Sequence, residues 1–197
     1  IAQLRRNATP QASGDLEAVP WQLYHTLTYL TGVTVRLNFF GTAPANINAG
    51  NLDTPGQLTA PQWFSIACFG FDIENDVSTA ATQVGALDDI QKLMLVGQPV
   101  FILTISSKRY GPFRLTPIHG TGGAYGQLAS AIATPGSLQV GVNGPAGDGG
   151  WYWDHAVMIP PQVGFGVEVI WAAAQALDFS NTPVTFSMFG TLFRRVL

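Results

Sequence analysis

The residues Val163–Trp171, VGFGVEVIW, follow the doublet Pro160-Pro161 and constrain the fold more than any other stretch. In an extended chain Val163, Phe165, Val167, Val169 and Trp171 point one way, while Gly164, Gly166, Glu168 and Ile170 point the other. A period of two with one apolar side marks a strand with one face in a core. The stretch 183–196, PVTFSMFGTLFRRV, repeats the pattern with Val184, Phe186, Met188 and Leu192 on one face. Asp178 to Thr182, rich in turn residues, joins the two. The spacing predicts a C-terminal pair of partner strands around which the rest of the chain assembles.

Three further strands are predicted from their residue patterns: Val33–Phe40, Trp63–Glu74 and Pro99–Tyr110. Val33, Val35, Leu37 and Phe39 form one face of the first. The second is apolar on both faces near its middle, which suits a strand that is central or covered on both sides. The third turns polar at Ser106-Ser107-Lys108-Arg109, and Gly111-Pro112 is expected to end it before a short strand over 113–118. Strands over 137–142 and 151–159 complete a set of eight. Trp21–Tyr29 reads either as a strand or as a helical turn. Between 76 and 96 the period changes, with Val84, Leu87, Ile90 and Met94 spaced by three and four, which is helical. Gly97 and Pro99 stop that helix. The fold class is therefore all-β: a single jelly-roll sandwich of about eight strands with one short helix between the second and third strands. The terminal strand is expected beside the first long one.

The 197 residues fit one domain, spanning 19–197, preceded by a polar, aperiodic arm over 1–18. Arg5 and Arg6 in that arm are candidate contacts for phosphates or lipid headgroups. Two arginines make a weak electrostatic footprint, and a solvated arm is the plainer reading. No apolar signal core follows them, so no secretory signal is expected. No apolar run reaches the ~18 residues that span a bilayer. Charged residues are only 11% of the chain, against about 25% in ordinary domains. So few charges suit a surface covered largely by neighbours. The net charge of −3 disfavours non-specific nucleic-acid binding by the whole surface. The one cysteine, Cys68, excludes an internal disulfide and is expected as a buried, inert thiol.

No stretch carries a catalytic motif. His25, His119 and His155 have no metal-ligand spacing. Asp88 and Asp89 lack a third ligand at a matching spacing, so they read as a solvated helix face with Lys92. Asp72 and Glu74 stand two apart at a strand's end, where charges mark the exit to solvent. Asp154 and His155 are adjacent in a strand, so they face opposite ways and cannot easily cooperate. The loop 120–126, GTGGAYG, lacks the Lys-Ser/Thr of a phosphate cradle. No enzyme, cofactor, metal site or small-molecule substrate is expected.

Several stretches resemble coat proteins of tailless icosahedral bacterial viruses. They are NFFGTAP after the first strand, PGQLTAPQWFSI entering the second and SSKRYGPFRL at the third and fourth. IPPQVGFGVEV in the seventh and the ending FSMFGTLFRRV complete the set. The resemblance spans most of 33–196 and is one of pattern. It implies a viral structural protein, a capsid subunit that self-assembles into an icosahedral shell, made in the host cytoplasm and residing in the virion. Implied partners are other copies of itself, other capsid proteins and, through the arm, the viral genome or an internal membrane. The loops over 41–61 and 143–150 would contact neighbours. The alternative is a carbohydrate-binding jelly-roll module with Trp151, Trp153 and Trp171 as its platform.

Overall fold

The computed structural model describes residues 16–74, 85, 88–115 and 151–195, without the side chains of 151–156. The described residues form an all-β sandwich of two antiparallel four-stranded sheets. The strands are β1 (Leu16–Leu30), β2 (Arg36–Phe39), β3 (Trp63–Ile73), β4 (Val100–Ile105), β5 (Lys108–Arg114), β6 (Trp151–Ile159), β7 (Phe165–Ile170) and β8 (Asn181–Arg195). The first sheet has the order β1-β8-β3-β6 and the second β2-β7-β4-β5.

The alternation over 163–171 holds. Phe165, Val167, Val169 and Trp171 are buried, and Gly166, Glu168 and Ile170 face out. Its expected partnership with 183–196 does not hold. β7 pairs with β2 and β4, whereas β8 pairs with β1 and β3. The connection 171–180 crosses from one sheet to the other, so two consecutive apolar strands meet through their side chains rather than through a ladder. β8 runs between β1 and β3, and Thr182 to Met188 are mostly buried on both faces. β3 is central too, as its two apolar faces suggest.

Trp21–Tyr29 resolves as the middle of a strand of 15 residues, with Leu23, His25 and Tyr29 inward. Leu16 to Ala18, expected in the arm, are its first residues and face Arg195, Arg194 and Phe193. Val33 lies in a turn, and Val33 and Val35 are exposed, so the strand expected over 33–40 shortens to Arg36–Phe39. The third expected strand folds back at Ser106-Ser107, where Ser106 takes φ 55° in a two-residue connection of hairpin type. β5 then continues through Gly111-Pro112 instead of ending there. These two residues oppose the single Ile102, since Leu103 faces Tyr110 and Phe101 faces Phe113. That is a bulge, and Gly111 suits it at φ 113°, where a Cβ would lie 2.8 Å from the Phe101 carbonyl oxygen. The helix lies between β3 and β4: residues 88–91 are helical and Lys92–Val96 continue as a π-helix, closed by the Gly97 N–H to the Lys92 carbonyl at 2.8 Å. Val84, Leu87 and the strand expected over 137–142 lie outside the described residues.

Between the sheets the core is aromatic. Phe186 of β8 packs against Phe39 of β2 (5.7 Å), Phe69 of β3 (5.9 Å) and Phe101 of β4 (5.5 Å). Burying such rings is worth roughly 1.5–3 kcal/mol each, so this contact of four strands ties the two sheets together. β3 carries a bulge at Ala67, with Ile66 facing Gly190 and Cys68 facing Phe189. There the backbone closes on β8: a Cβ on Gly190 would sit 1.8 Å from the Ser65 carbonyl oxygen.

Candidate functional site

One end of the sandwich gathers three segments that are far apart in sequence. They are the β1–β2 turn, the stretch 93–97 and the connection 171–180. The Trp171 N–H donates to the Val35 carbonyl (2.9 Å), Gly32 N–H to Gln175 (2.8 Å) and Ala172 N–H to Gly97 (3.3 Å). Thr31 Oγ1 accepts from Leu177 N–H at 2.7 Å. Beneath them Trp171 is buried, its indole Nε1 donating to the Leu93 carbonyl at 3.0 Å and its ring edge-on to Tyr29. The Tyr29 hydroxyl accepts from Gln175 N–H at 2.7 Å. The indole N–H of Trp171 and the hydroxyls of Tyr29 and Thr31 are thus hydrogen-bonded.

Five exposed large apolar residues sit on or beside these segments. Leu30 (44% exposed), Val33 (70%), Val35 (47%), Leu95 (53%) and Val96 (68%) all stand there. Only Trp21 and Ile47 are exposed large apolar residues elsewhere among the described residues. Singly exposed apolar residues are ordinary, whereas a contiguous exposed apolar patch is the kind of feature that marks a contact surface.

Two flanks border this end. The outer face of the second sheet carries Arg36, Arg109 and Arg114, because their pairing partners place them opposite the core side. Arg36 aligns with Ile170, Arg114 with Val100 and Arg109 with Thr104. A shallow groove of about 520 Å³ runs across it, lined by Arg36, Asn38, Thr104, Arg109, Gly166 and Glu168. Arg36 pairs with Glu168 at 3.0 Å. Arg109 and Arg114 have no ion-pair partner among the described residues.

The other flank carries carboxylates. Glu74 follows β3, where its N–H donates to the Pro183 carbonyl and its Oε1 accepts from Thr185 Oγ1 at 2.9 Å. Asp88, Asp89 and Asp178 bring carboxylate oxygens within 4.8 Å of one another. Asp178 is the third acidic group that spacing alone did not supply. The cluster is already answered, since Lys92 Nζ contacts Asp88 and reaches Asp178 at 3.3 Å. Nor is Asp89 on a solvated face. It is fully buried and accepts from the N–H groups of Asp178 (2.6 Å) and Phe179 (3.2 Å). Burial pushes its carboxyl up, and the two N–H bonds pull it back. These bonds clamp the connection 171–180 to the helix, a structural role.

The remaining candidates are placed as follows. His25 is buried, its Nδ1 accepting from Phe40 N–H at 2.7 Å, and burial holds its imidazole below the ordinary histidine value. Cys68 is half-buried rather than buried, and burial pushes its thiol up, away from the reactive thiolate. Asp72 stands in β3 opposite Thr185. Trp171, one of three expected platform residues, belongs to the core. The side chains of Trp151, Trp153, Asp154 and His155 lie outside the described residues, as do Arg5, Arg6, His119 and the loops 120–126 and 143–150. The loop 41–61 is spent partly on its own molecule. Ala49 O accepts from Thr26 N–H (2.7 Å), and Asn51 accepts from Tyr24 N–H (3.1 Å) and donates to Gln22 O (2.6 Å). Tyr24 also donates its hydroxyl to the Ile47 carbonyl. This covers the free edge of β1 over 22–26, which otherwise invites strand pairing.

The sequence signal for the arginine flank was the polar side of each alternating strand, but its assembly into one face required the strand order. Compared with known proteins, the chain matches no family model, no curated sequence and no solved structure.

Proposed function

We propose that the chain is a jelly-roll capsid subunit of an icosahedral virus, acting by self-assembly and not by catalysis. The fold reading is supported by nested pairing: β1 with β8, β2 with β7, β3 with β6 and β4 with β5. A long hairpin rolled over so that its two arms alternate between facing sheets gives this order, and jelly rolls are built that way. Fold alone does not fix function. The observation that carries the assembly reading is the cluster Leu30, Val33, Val35, Leu95 and Val96 on one end of a rigid sandwich. It belongs to a chain with only 11% charged residues. Such an end gains free energy when copies meet, at roughly 25 cal/mol per Å² of apolar surface covered. Repetition over many equivalent contacts makes modest contacts sufficient.

The resemblance of 33–196 to coat proteins of tailless icosahedral phages is the second support. The burial of Trp171 takes away one of the three aromatic residues on which a carbohydrate-binding reading would stand. Sedimentation velocity over a range of concentrations tests the proposal. Species many times the mass of one chain are expected, growing with concentration. A single-chain mass together with measurable glycan binding would replace it.

A further inference from the structure

His25 ties the first sheet to the corner where the chain leaves the second. It is buried in β1, and its Nδ1 accepts the N–H of Phe40, the residue after β2, at 2.7 Å. Phe40 is buried too and takes φ 66°. A bulky residue keeps that left-handed backbone only where its surroundings hold it. From this corner the chain turns onto the free edge of β1. Thr26 N–H donates to the Ala49 carbonyl, Tyr24 N–H donates to Asn51 Oδ1, and Gly50 bridges His25. Gly50 lies so close that a Cβ would stand 3.1 Å from the Tyr24 carbonyl oxygen. Asn46 folds the segment on itself, its Oδ1 accepting from the N–H groups of Asn48 (2.9 Å) and Ala49 (3.1 Å). The cover on the edge is therefore a small unit held by a few bonds, not a ladder strand.

We infer that residues 40–51 are an acid-opened latch: neutral His25 holds it shut through the Phe40 N–H, and protonation of His25 releases it from the β1 edge while the two sheets stay joined. A proton on Nδ1 sets N–H against N–H, removes the acceptor and leaves the left-handed corner at Phe40 without its support. Nothing nearby compensates that charge among the described residues. In the row of His25 across the first sheet stand Phe186 of β8 and Phe71 of β3, and Phe39 and Phe40 lie beside its ring. Asp72 aligns with Thr185 and Thr26, on the opposite face of the sheet, and Glu74 bonds to Thr185. Tyr29, on the same face of β1, accepts from Gln175 N–H. Asp53, the one charged residue of 41–61, is exposed. Arg36 pairs with Glu168, and Arg194 with Glu17 near the start of β1. Histidine is the side chain whose charge changes in mild acid, so opening here answers to pH. It strips the Tyr24 and Thr26 N–H groups of their partners and bares a strand edge.

Amide hydrogen exchange followed by NMR at pH 7 and pH 5, each with and without low urea, tests the latch. The N–H groups of Tyr24, Thr26 and Phe40 are the latch bonds themselves, and the amides of β4 and β7 report the core. After correction for intrinsic rates, exchange at the three is expected to quicken roughly tenfold at pH 5, within a ceiling of about 25-fold set by an ordinary histidine in the open form. Their exchange should respond little to urea, because a local opening exposes little surface, whereas that of the core amides should be slower and urea-dependent. His25→Asn, whose Oδ1 takes the place of Nδ1 without titrating, should abolish the acid effect; His25→Gln serves if that variant does not fold. Unchanged exchange in wild type between the two pH values overturns the latch. So does exchange at the three positions that shares the rate and urea dependence of the core, or an equal acid effect in the variant.

Discussion

His25 and Asp89 are buried titratable side chains whose contacts specify what each must do. His25 accepts the Phe40 N–H at Nδ1, so its imidazole must be neutral there. Its folded value lies below the ordinary 6.5. The unfolded chain therefore binds the proton first as pH falls, and stability is complete above the ordinary value and lost below it. The melting temperature is expected to fall between pH 7 and pH 5.5, and His25→Gln, which keeps an acceptor without a titrating ring, should flatten that slope. An equal slope in the variant would assign the effect to other groups. Asp89 has the opposite sign, because burial raises its folded value above 3.8 and its contribution declines as pH rises through that window. Its main role is as acceptor for two backbone N–H groups. Asp89→Ala is expected to lower unfolding free energy by about 1–3 kcal/mol in urea titration. A loss under about 0.5 kcal/mol, the range of ordinary surface changes, would mean that water replaces the carboxylate.

At the level of strands, the tightest approach is at Gly190, where any side chain meets the Ser65 carbonyl. Gly190→Ala is expected to destabilise by about 2 kcal/mol or more, because β3 and β8 cannot separate without breaking a central ladder. Chemical denaturation of the variant measures this, and a near-neutral result would show that the β3 bulge relaxes. Much of this architecture was legible from period two. β7 follows from which residues alternate, and the central placement of β3 from apolar residues on both of its faces. The failures share one cause, that alternation tells facing but not neighbours. β8 comes next in the chain after β7 and shares its alternation, yet 171–180 carries it to the other sheet. Val33 and Val35 continued an apolar alternation into a turn where nothing covers them. The hairpin at Ser106-Ser107 was hidden because Gly111-Pro112 looked like a stronger stop, and a bulge absorbed those two residues. The candidate surfaces were illegible for the same reason, since Arg36, Arg109 and Arg114 share a face only once β2, β7, β4 and β5 are in order.

Across the molecule, nested strand pairing joins the two sheets into one block. The segment before β1 can be removed without touching the ladder only if the cut precedes Leu16, because Leu16, Glu17 and Ala18 pair with β8. Deletion of residues 1–15 is expected to leave the melting temperature within a few degrees of wild type and to impair particle formation. Normal particles would show that the arm, with Arg5 and Arg6, has no part in assembly. The most direct measurement is the mass distribution of the native chain by light scattering, with negative-stain microscopy of the same sample. Closed particles of uniform diameter are expected. A homogeneous 21.0 kDa species at every concentration and ionic strength, with no particles on the grid, would contradict self-assembly as the function of this fold.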